Sequence, residues 1–104
     1  MEVLTKDNFS ALVEQGTKPV LCEFWAPWCG YCRRLGPAYD QLAGELGEKV
    51  VFCKLNIDDE PELAGRFGVM SIPTVIFFKD GEEIDRKVGV MPADSFTAVL
   101  DANL

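Results

Sequence analysis

The sequence predicts an α/β fold in which a central mixed five-stranded sheet is flanked by four helices. Apolar runs alternate with segments of helical periodicity along most of the chain, and this alternation is typical of parallel strands joined by crossover helices. Two later apolar segments flank Asp80-Gly81, a dipeptide typical of a tight antiparallel hairpin. With 104 residues, of which 48% are hydrophobic, the chain can form the core of a single domain over residues 1–104.

The composition excludes several classes of function. The net charge of −7 argues against nucleic-acid binding, which needs a basic surface. The chain has no histidine, so it has neither an imidazole base nor a histidine metal ligand. No stretch approaches the roughly 20 apolar residues that span a bilayer, and the polar, acidic N-terminal segment does not resemble a signal peptide. We therefore expect a cytoplasmic monomer that contacts neither nucleic acid nor membrane.

The elements of the first half follow from the spacing of apolar residues. A short edge strand is predicted at residues 3–5, and a helix with one apolar face at residues 6–15. Residues 19–25 are almost continuously apolar, as expected for a parallel strand that is covered on both faces. A long amphipathic helix is predicted at residues 31–46.

The second half continues the alternation and then adds the hairpin. A strand is predicted at residues 50–57, a short helix at 58–67, two strands at 73–79 and 82–88, and a last helix that begins at Pro92. The predicted order is therefore β-α-β-α-β-α-β-β-α. The early βαβ units imply a parallel half of the sheet, and the hairpin implies an antiparallel half.

One carboxylate interrupts the apolar strand in the first half. Glu23 lies between Cys22 and Phe24. If it is buried there, an ionised and unpaired carboxylate costs several kcal/mol, so its pKa should be raised. The alternative is an edge position from which Glu23 reaches solvent.

Two cysteines lie where this strand meets the long helix. Cys29 and Cys32 can close a small disulfide, bind a metal ion, or switch between dithiol and disulfide. Zinc needs four ligands, and the other two cysteines, Cys22 and Cys53, lie inside predicted strands, which is poor geometry for a metal site. At a helix N-terminus, free N–H groups and the helix dipole lower the pKa of Cys29. Its thiolate can then form a mixed disulfide that Cys32 resolves.

The sequence Trp-Ala-Pro-Trp-Cys-Gly-Tyr-Cys at residues 25–32 resembles the active-site signature of the thioredoxin family. The resemblance continues over residues 3–104 and implies a thioredoxin fold. The matching positions are the family's buried acid, the lysine beside it, the proline inside the long helix, the cis-proline loop, the hairpin turn and a glycine near the site: Glu23, Lys54, Pro37, residues 71–74, residues 80–82 and residues 88–89.

The resemblance implies a role for each residue of a catalytic group. Cys29 is expected to be the exposed nucleophile and Cys32 the more buried resolving thiol. Glu23 is expected to accept the proton of Cys32, and Lys54 to tune Glu23 through its charge.

The resemblance also implies a substrate-binding surface and partners. A cis peptide bond at Pro73 would bring the Ile72 backbone to the cysteines, where it can hydrogen-bond an extended substrate segment. The expected partners are a thioredoxin reductase and disulfide-containing proteins, with no metal and no cofactor beyond the reversible Cys29–Cys32 disulfide. The alternative is a binding module that keeps the scaffold without the catalysis. The expected surface comprises Trp28, Gly30, Tyr31, Ile72, Pro73, Gly89 and Val90.

Three residues near the site depart from the family pattern: Tyr31, Met70 and Glu23, which replaces the more common aspartate. Tyr31 stands where the family usually has proline, so the backbone keeps an N–H at that position. An additional N–H near the Cys29 sulfur should stabilise the thiolate and raise the reduction potential, giving a less reducing protein. Met70 either widens the apolar docking surface or packs against the domain.

The remaining cysteines permit two interpretations. If Glu23 and Lys54 are neighbours on adjacent strands, Cys22 and Cys53 are neighbours on the opposite face of the sheet. Adjacent strands lie about 4.8 Å apart, which is within the Cα range of a disulfide. We expect two buried free thiols instead, because free cysteine packs as a small hydrophobic residue.

Overall fold

A mixed five-stranded sheet runs through the computed structural model, which describes residues 1–103. The predicted last residue of the domain, Leu104, lies outside the described residues. The strands lie side by side in the order β1-β3-β2-β4-β5. β3 pairs in parallel with β1 and β2, whereas β4 is antiparallel to β2 and β5. The strands are β1 Glu2–Val3, β2 Val20–Trp25, β3 Val51–Asn56, β4 Thr74–Lys79 and β5 Glu82–Val88.

This sheet confirms the predicted division into a parallel and an antiparallel half. The first predicted strand is found at the sheet edge, at Glu2–Val3. Asp80 and Gly81 connect β4 to β5 with φ angles of 54° and 82°. Both values are in the left-handed region that a two-residue type I′ hairpin turn requires.

Four helical segments accompany the sheet in residues 1–103. Three are α-helices: α1 Gly30–Leu46, α2 Pro61–Arg66 and α3 Ala93–Asn103. The other is a single π-helical turn, Ser10–Glu14. Clusters of buried side chains show that α1 and α3 cover one face of the sheet, while the π-helical turn and α2 cover the other. Helices on both faces are what right-handed crossovers require.

The segment predicted as a helix at residues 6–15 is helical, but it contains a π-helical turn at Ser10–Glu14. The N–H groups of Phe9 and Leu12 donate to carbonyls four residues back, at Thr5 and Asn8, whereas the N–H of Gln15 donates to the carbonyl of Ser10 at 2.8 Å, five residues back. At the start of the segment, the Asn8 side chain accepts from the N–H of Thr5 and donates to the carbonyl of Val3. The Thr5 N–H lies before the first turn and has no helical partner, so this side-chain bond caps the segment.

The register of β2 against β3 places the predicted neighbours side by side. Glu23 is paired with Lys54, and Cys22 is paired with Cys53. Both cysteines are buried free thiols, which confirms the preferred interpretation over a second disulfide. Within residues 1–103, no helix has the length and apolar character that a membrane span requires.

Candidate active site

The two cysteines of the motif are joined in a disulfide at the start of α1. Their Cα atoms lie 5.3 Å apart. Cys29 is the N-cap residue with an extended backbone, and its Sγ accepts a hydrogen bond from the N–H of Cys32 at 3.1 Å. The sulfur therefore occupies the position where a helix N-terminus presents free N–H groups and the positive end of its dipole.

The expected contrast in exposure between the two cysteines is not found. Cys29 is 5% exposed and Cys32 is 4% exposed, so in the disulfide form both are buried. Trp25, Ile57 and Ile72 pack against them. The sequence could not reveal this, because two of the covering side chains, Ile57 and Ile72, are distant from the cysteines along the chain.

The loop before β4 faces the disulfide. The Ile72–Pro73 peptide bond is cis, as expected, and the carbonyl oxygen of Ile72 lies 3.8 Å from the Sγ of Cys29. The Pro73 carbonyl accepts a hydrogen bond from the N–H of Gly89 at 2.8 Å. Gly89 has a φ of +93°, a conformation that glycine adopts readily. This bond ties the cis-proline loop to the end of β5.

Glu23 is buried in the central strand, with 2% of its surface exposed. Its Oε1 has no hydrogen-bond partner among the described residues. Burial raises the pKa of Glu23 to about 7, Lys54 lowers it and Asp40 raises it. This confirms the predicted rise in pKa and rules out the alternative in which Glu23 reaches solvent.

Lys54 makes its ion pair with a residue that the sequence analysis did not identify. Its Nζ lies 3.5 Å from Oδ1 of Asp40 on α1, although Lys54 is aligned beside Glu23 in the sheet. Asp40 is largely exposed on a helix surface, where carboxylates are common, so its sequence position gave no signal. Lys54 therefore acts on Glu23 through space while it is paired with another carboxylate.

Trp28 is also held by a residue that sequence reasoning missed. Its side chain is exposed, and its Nε1 donates to both carboxylate oxygens of Asp58, at 3.0 and 3.3 Å. The Asp58 N–H in turn donates to the side chain of Asn56. The sequence placed Asp58 only at the start of a short helix, because the contact with Trp28 depends on the fold.

An open groove lies beside the disulfide. Five of the seven residues expected in the substrate-binding surface line this groove, whereas Trp28 and Gly30 do not. Tyr31 is 62% exposed, and the Arg34 guanidinium lies 5.4 Å from the centre of its ring. The lining residues are Tyr31, Arg34, Ser71, Ile72, Pro73, Val88, Gly89 and Val90.

Met70 and Tyr31, which depart from the family pattern, both lie near the site. Met70 is 97% exposed, so it does not pack against the domain. The N–H that reaches the Cys29 sulfur belongs to Cys32. The Tyr31 N–H makes no hydrogen bond to that sulfur in the disulfide form within residues 1–103. Those residues also contain no group of three or more cysteine or carboxylate side chains arranged to hold a metal ion.

The disulfide at a helix N-terminus, opposite a cis-proline loop on a mixed sheet, defines a domain of the thioredoxin-fold class. The sequence model of the thioredoxin family matches residues 1–102. The chain belongs to the thioredoxin family.

Bacterial and chloroplastic thioredoxins both align with most of this chain. A thioredoxin of Staphylococcus haemolyticus is 44% identical over 101 residues, which are 97% of this chain and 95% of the relative. A thioredoxin of Alicyclobacillus acidocaldarius is 44% identical over 97 residues, which are 93% of this chain and 91% of the relative. The chloroplastic M-type thioredoxin of Zea mays is 44% identical over 102 residues, which are 96% of this chain. The chain spans only 61% of the length of that maize relative.

Proposed function

We propose that this protein reduces disulfides of other proteins, with Cys29 as the attacking thiol and Cys32 as the resolving thiol. The observation that carries the proposal is the position of Cys29 at the N-cap of α1, where its sulfur accepts the Cys32 N–H at 3.1 Å. A thiolate at that position gains this hydrogen bond and the favourable helix dipole, so the anion that attacks disulfides is stabilised.

In the first step, the Cys29 thiolate attacks one sulfur of the substrate disulfide. A new S–S bond forms between Cys29 and that sulfur, and the second substrate sulfur leaves as a thiolate and takes a proton from water. In this proposal the backbone of Ile72 hydrogen-bonds the substrate segment as an added strand. The distance of 3.8 Å between its carbonyl oxygen and the Cys29 sulfur supports this role.

In the second step, Cys32 loses its proton and attacks the Cys29 sulfur. The mixed disulfide breaks, the Cys29–Cys32 bond forms, and the remaining substrate sulfur leaves as a thiolate and is protonated. Glu23 accepts the Cys32 proton in this proposal, directly or through water. A carboxyl with a pKa of about 7 can take up and release a proton near neutral pH, and Lys54 tunes it through its charge.

Each cycle passes two electrons to the substrate and leaves the protein oxidised. Membership of the thioredoxin family implies a reductase and disulfide-containing proteins as partners in general. We propose that a thioredoxin reductase returns the two electrons to the Cys29–Cys32 disulfide. Purified thioredoxin reductase with its electron donor should reduce the disulfide of the oxidised protein. If no thioredoxin reductase reduces it, the proposal that such a reductase is the partner is contradicted.

We also propose that residues 1–104 form one domain that acts as a monomer in the cytoplasm. Two buried free thiols, Cys22 and Cys53, suit a reducing compartment. Sedimentation of the purified protein tests the monomer, limited proteolysis tests the single domain, and fractionation of the source cells tests the compartment. A dimer, a stable proteolytic subfragment or a location in another compartment would contradict the corresponding part.

A trapping experiment tests the assignment of the two thiols. Cys32→Ser should accumulate mixed disulfides between Cys29 and substrate proteins, because the resolving thiol is missing, and dithiothreitol should release them. Cys29→Ser is the matched control and should trap far less. Equal trapping by both variants would contradict the assigned roles, and partners held without a covalent link would indicate a binding module instead.

A further inference from the structure

Arg34 places a positive charge in an otherwise uncharged groove. The other lining residues are Tyr31, two glycine or proline positions, one serine and three aliphatic side chains. In the described part of the chain, no carboxylate lies within ion-pair distance of Arg34, whereas Arg66 and Arg86 have glutamate partners. The groove therefore presents a cation whose charge is not neutralised by an ion pair within residues 1–103.

Tyr31 orients this cation. The Arg34 guanidinium lies over the Tyr31 ring, 5.4 Å from its centre, which is within the range of a cation–π contact. This contact engages an aromatic ring and not a hydrogen-bond acceptor, so the guanidinium N–H groups remain available to a ligand. The planar N–H fork matches the two oxygens of a carboxylate, and a side chain that is already oriented loses less conformational freedom on binding.

The groove also lies next to the reacting sulfur atoms of Cys29 and Cys32. Tyr31 precedes Cys32 directly, and the opposite wall contains Ile72, whose carbonyl oxygen is 3.8 Å from the Cys29 sulfur. A substrate segment whose disulfide reaches Cys29 therefore runs alongside Arg34. The aliphatic lining, which includes Val88 and Val90, suits apolar residues of the same segment.

We propose that Arg34, held by the Tyr31 ring, is a specificity-determining residue that selects substrate disulfides with an acidic side chain a few residues from the attacked cysteine. This inference rests on the proposed function, because it names the substrate class of the same site. The net charge of −7 does not explain such a preference, since it repels acidic partners. Distant charges are screened beyond a Debye length of about 8 Å at physiological salt. The preference for an acidic substrate side chain therefore depends on its contact with Arg34.

The test uses short peptides that are each closed by one disulfide. The peptides differ only in having Glu, Gln or Lys at a single position near the reactive cysteine, and that position is moved along the peptide set. Rate constants for reduction by the prereduced protein are measured for each peptide. At the best position, the Glu peptide should react about threefold to tenfold faster than the Gln peptide, the range of a partly shielded charged pair.

Substitutions at Arg34 should change this ratio specifically. Arg34→Gln should bring the Glu to Gln ratio to about one, and Arg34→Glu should make the Lys peptide the faster substrate. Arg33→Gln is the matched control, because it removes the same charge from the neighbouring exposed residue, which does not line the groove. It should retain the preference for Glu even if both peptides react more slowly.

The possible outcomes separate this inference from the proposed function. Equal rates for all peptides with the wild-type protein, or a preference that survives Arg34→Gln, would overturn the inference and leave the proposed function intact. Loss of the preference in Arg33→Gln to the same extent would also overturn it, because the effect would then come from general charge. If the wild-type protein reduces none of the peptides, the proposed function fails and the inference fails with it.

Discussion

At the scale of a single residue, Glu23 links the burial of a carboxyl group to the pH dependence of stability. It lies in the central strand, is 2% exposed, and has an oxygen without a hydrogen-bond partner within residues 1–103. The surrounding apolar run indicated its burial, and the resemblance to the thioredoxin family implied Lys54 beside it. Asp40, which binds Lys54, could not be predicted, because an exposed helical carboxylate looks the same whether or not it meets a partner.

The first prediction concerns the pH dependence of stability. The pKa of Glu23 is raised by burial from 4.5 to about 7, so between these two pH values the folded state holds a proton that the unfolded state has released. The free energy of unfolding should therefore fall as the pH rises through this window, by on the order of 3 kcal/mol, and then level off.

Denaturant unfolding of the oxidised protein from pH 4 to pH 8.5 measures this change. Glu23→Gln should remove this contribution to the slope, whatever the constant cost of burying the amide. Glu82→Gln, at an exposed position of β5, should keep the slope of the wild type. A slope that persists in Glu23→Gln would show that another group titrates.

The second prediction concerns Tyr31 and the reduction potential. Tyr31 keeps a backbone N–H in the first turn of α1, where free N–H groups stabilise a nearby thiolate. Because a more stable dithiol form raises the reduction potential, Tyr31→Pro should lower the potential and give a more reducing protein. Equilibration with a glutathione or dithiothreitol couple measures this.

The matched control for that measurement is Tyr31→Ala, which removes the phenol ring but keeps the N–H. Its potential should remain closer to that of the wild type than the potential of Tyr31→Pro does. An unchanged or higher potential in Tyr31→Pro would show that the N–H at position 31 does not stabilise the dithiol form.

At the scale of elements, α1 connects the site to the sheet. Its Tyr39 is fully buried, and its hydroxyl lies 2.6 Å from the carbonyl oxygen of Leu21 on β2 and 2.8 Å from that of Cys53 on β3. The hydroxyl thus donates where the two parallel strands meet. The spacing of apolar residues predicted the amphipathic helix, but it could not reveal this hydrogen bond.

The third prediction is a loss of stability in Tyr39→Phe. The variant leaves buried carbonyl groups without this donor while it keeps the ring, so the free energy of unfolding should fall by about 1–2 kcal/mol. Urea unfolding measures the change. Tyr31→Phe, whose hydroxyl lies on an exposed side chain, should change stability by less than about 0.5 kcal/mol. Equal effects of the two variants would contradict the assigned role of the Tyr39 hydroxyl.

The elements also show where sequence patterns succeed and where they fail. The helical periodicity of residues 31–46 was sufficient to predict α1, because a buried apolar stripe is visible in the sequence. The dipeptide Asp80-Gly81 was sufficient to predict the hairpin, because these residues adopt the left-handed turn conformation. The segment predicted as a helix at residues 6–15 is helical, but it contains a π-helical turn, Ser10–Glu14. Residue spacing does not encode whether a backbone N–H bonds to a carbonyl four or five residues back.

At the scale of the whole molecule, the sheet separates two kinds of cysteine. Cys29 and Cys32 lie at the end of β2 and the start of α1, where the cis-proline loop faces them. Cys22 and Cys53 lie inside the sheet as buried free thiols. Burial raises the pKa of both thiols, so they form the reactive thiolate less readily than an exposed cysteine does.

A redox titration of the whole protein tests the central claim most directly. The protein is equilibrated across a series of dithiothreitol or glutathione buffers, its thiols are blocked under denaturing conditions, and the modified cysteines are identified by mass spectrometry. We predict one two-electron transition in which Cys29 and Cys32 change together, while Cys22 and Cys53 stay blockable throughout. A Cys29–Cys32 pair that does not change across the series, or a transition that involves Cys22 and Cys53, would contradict the account.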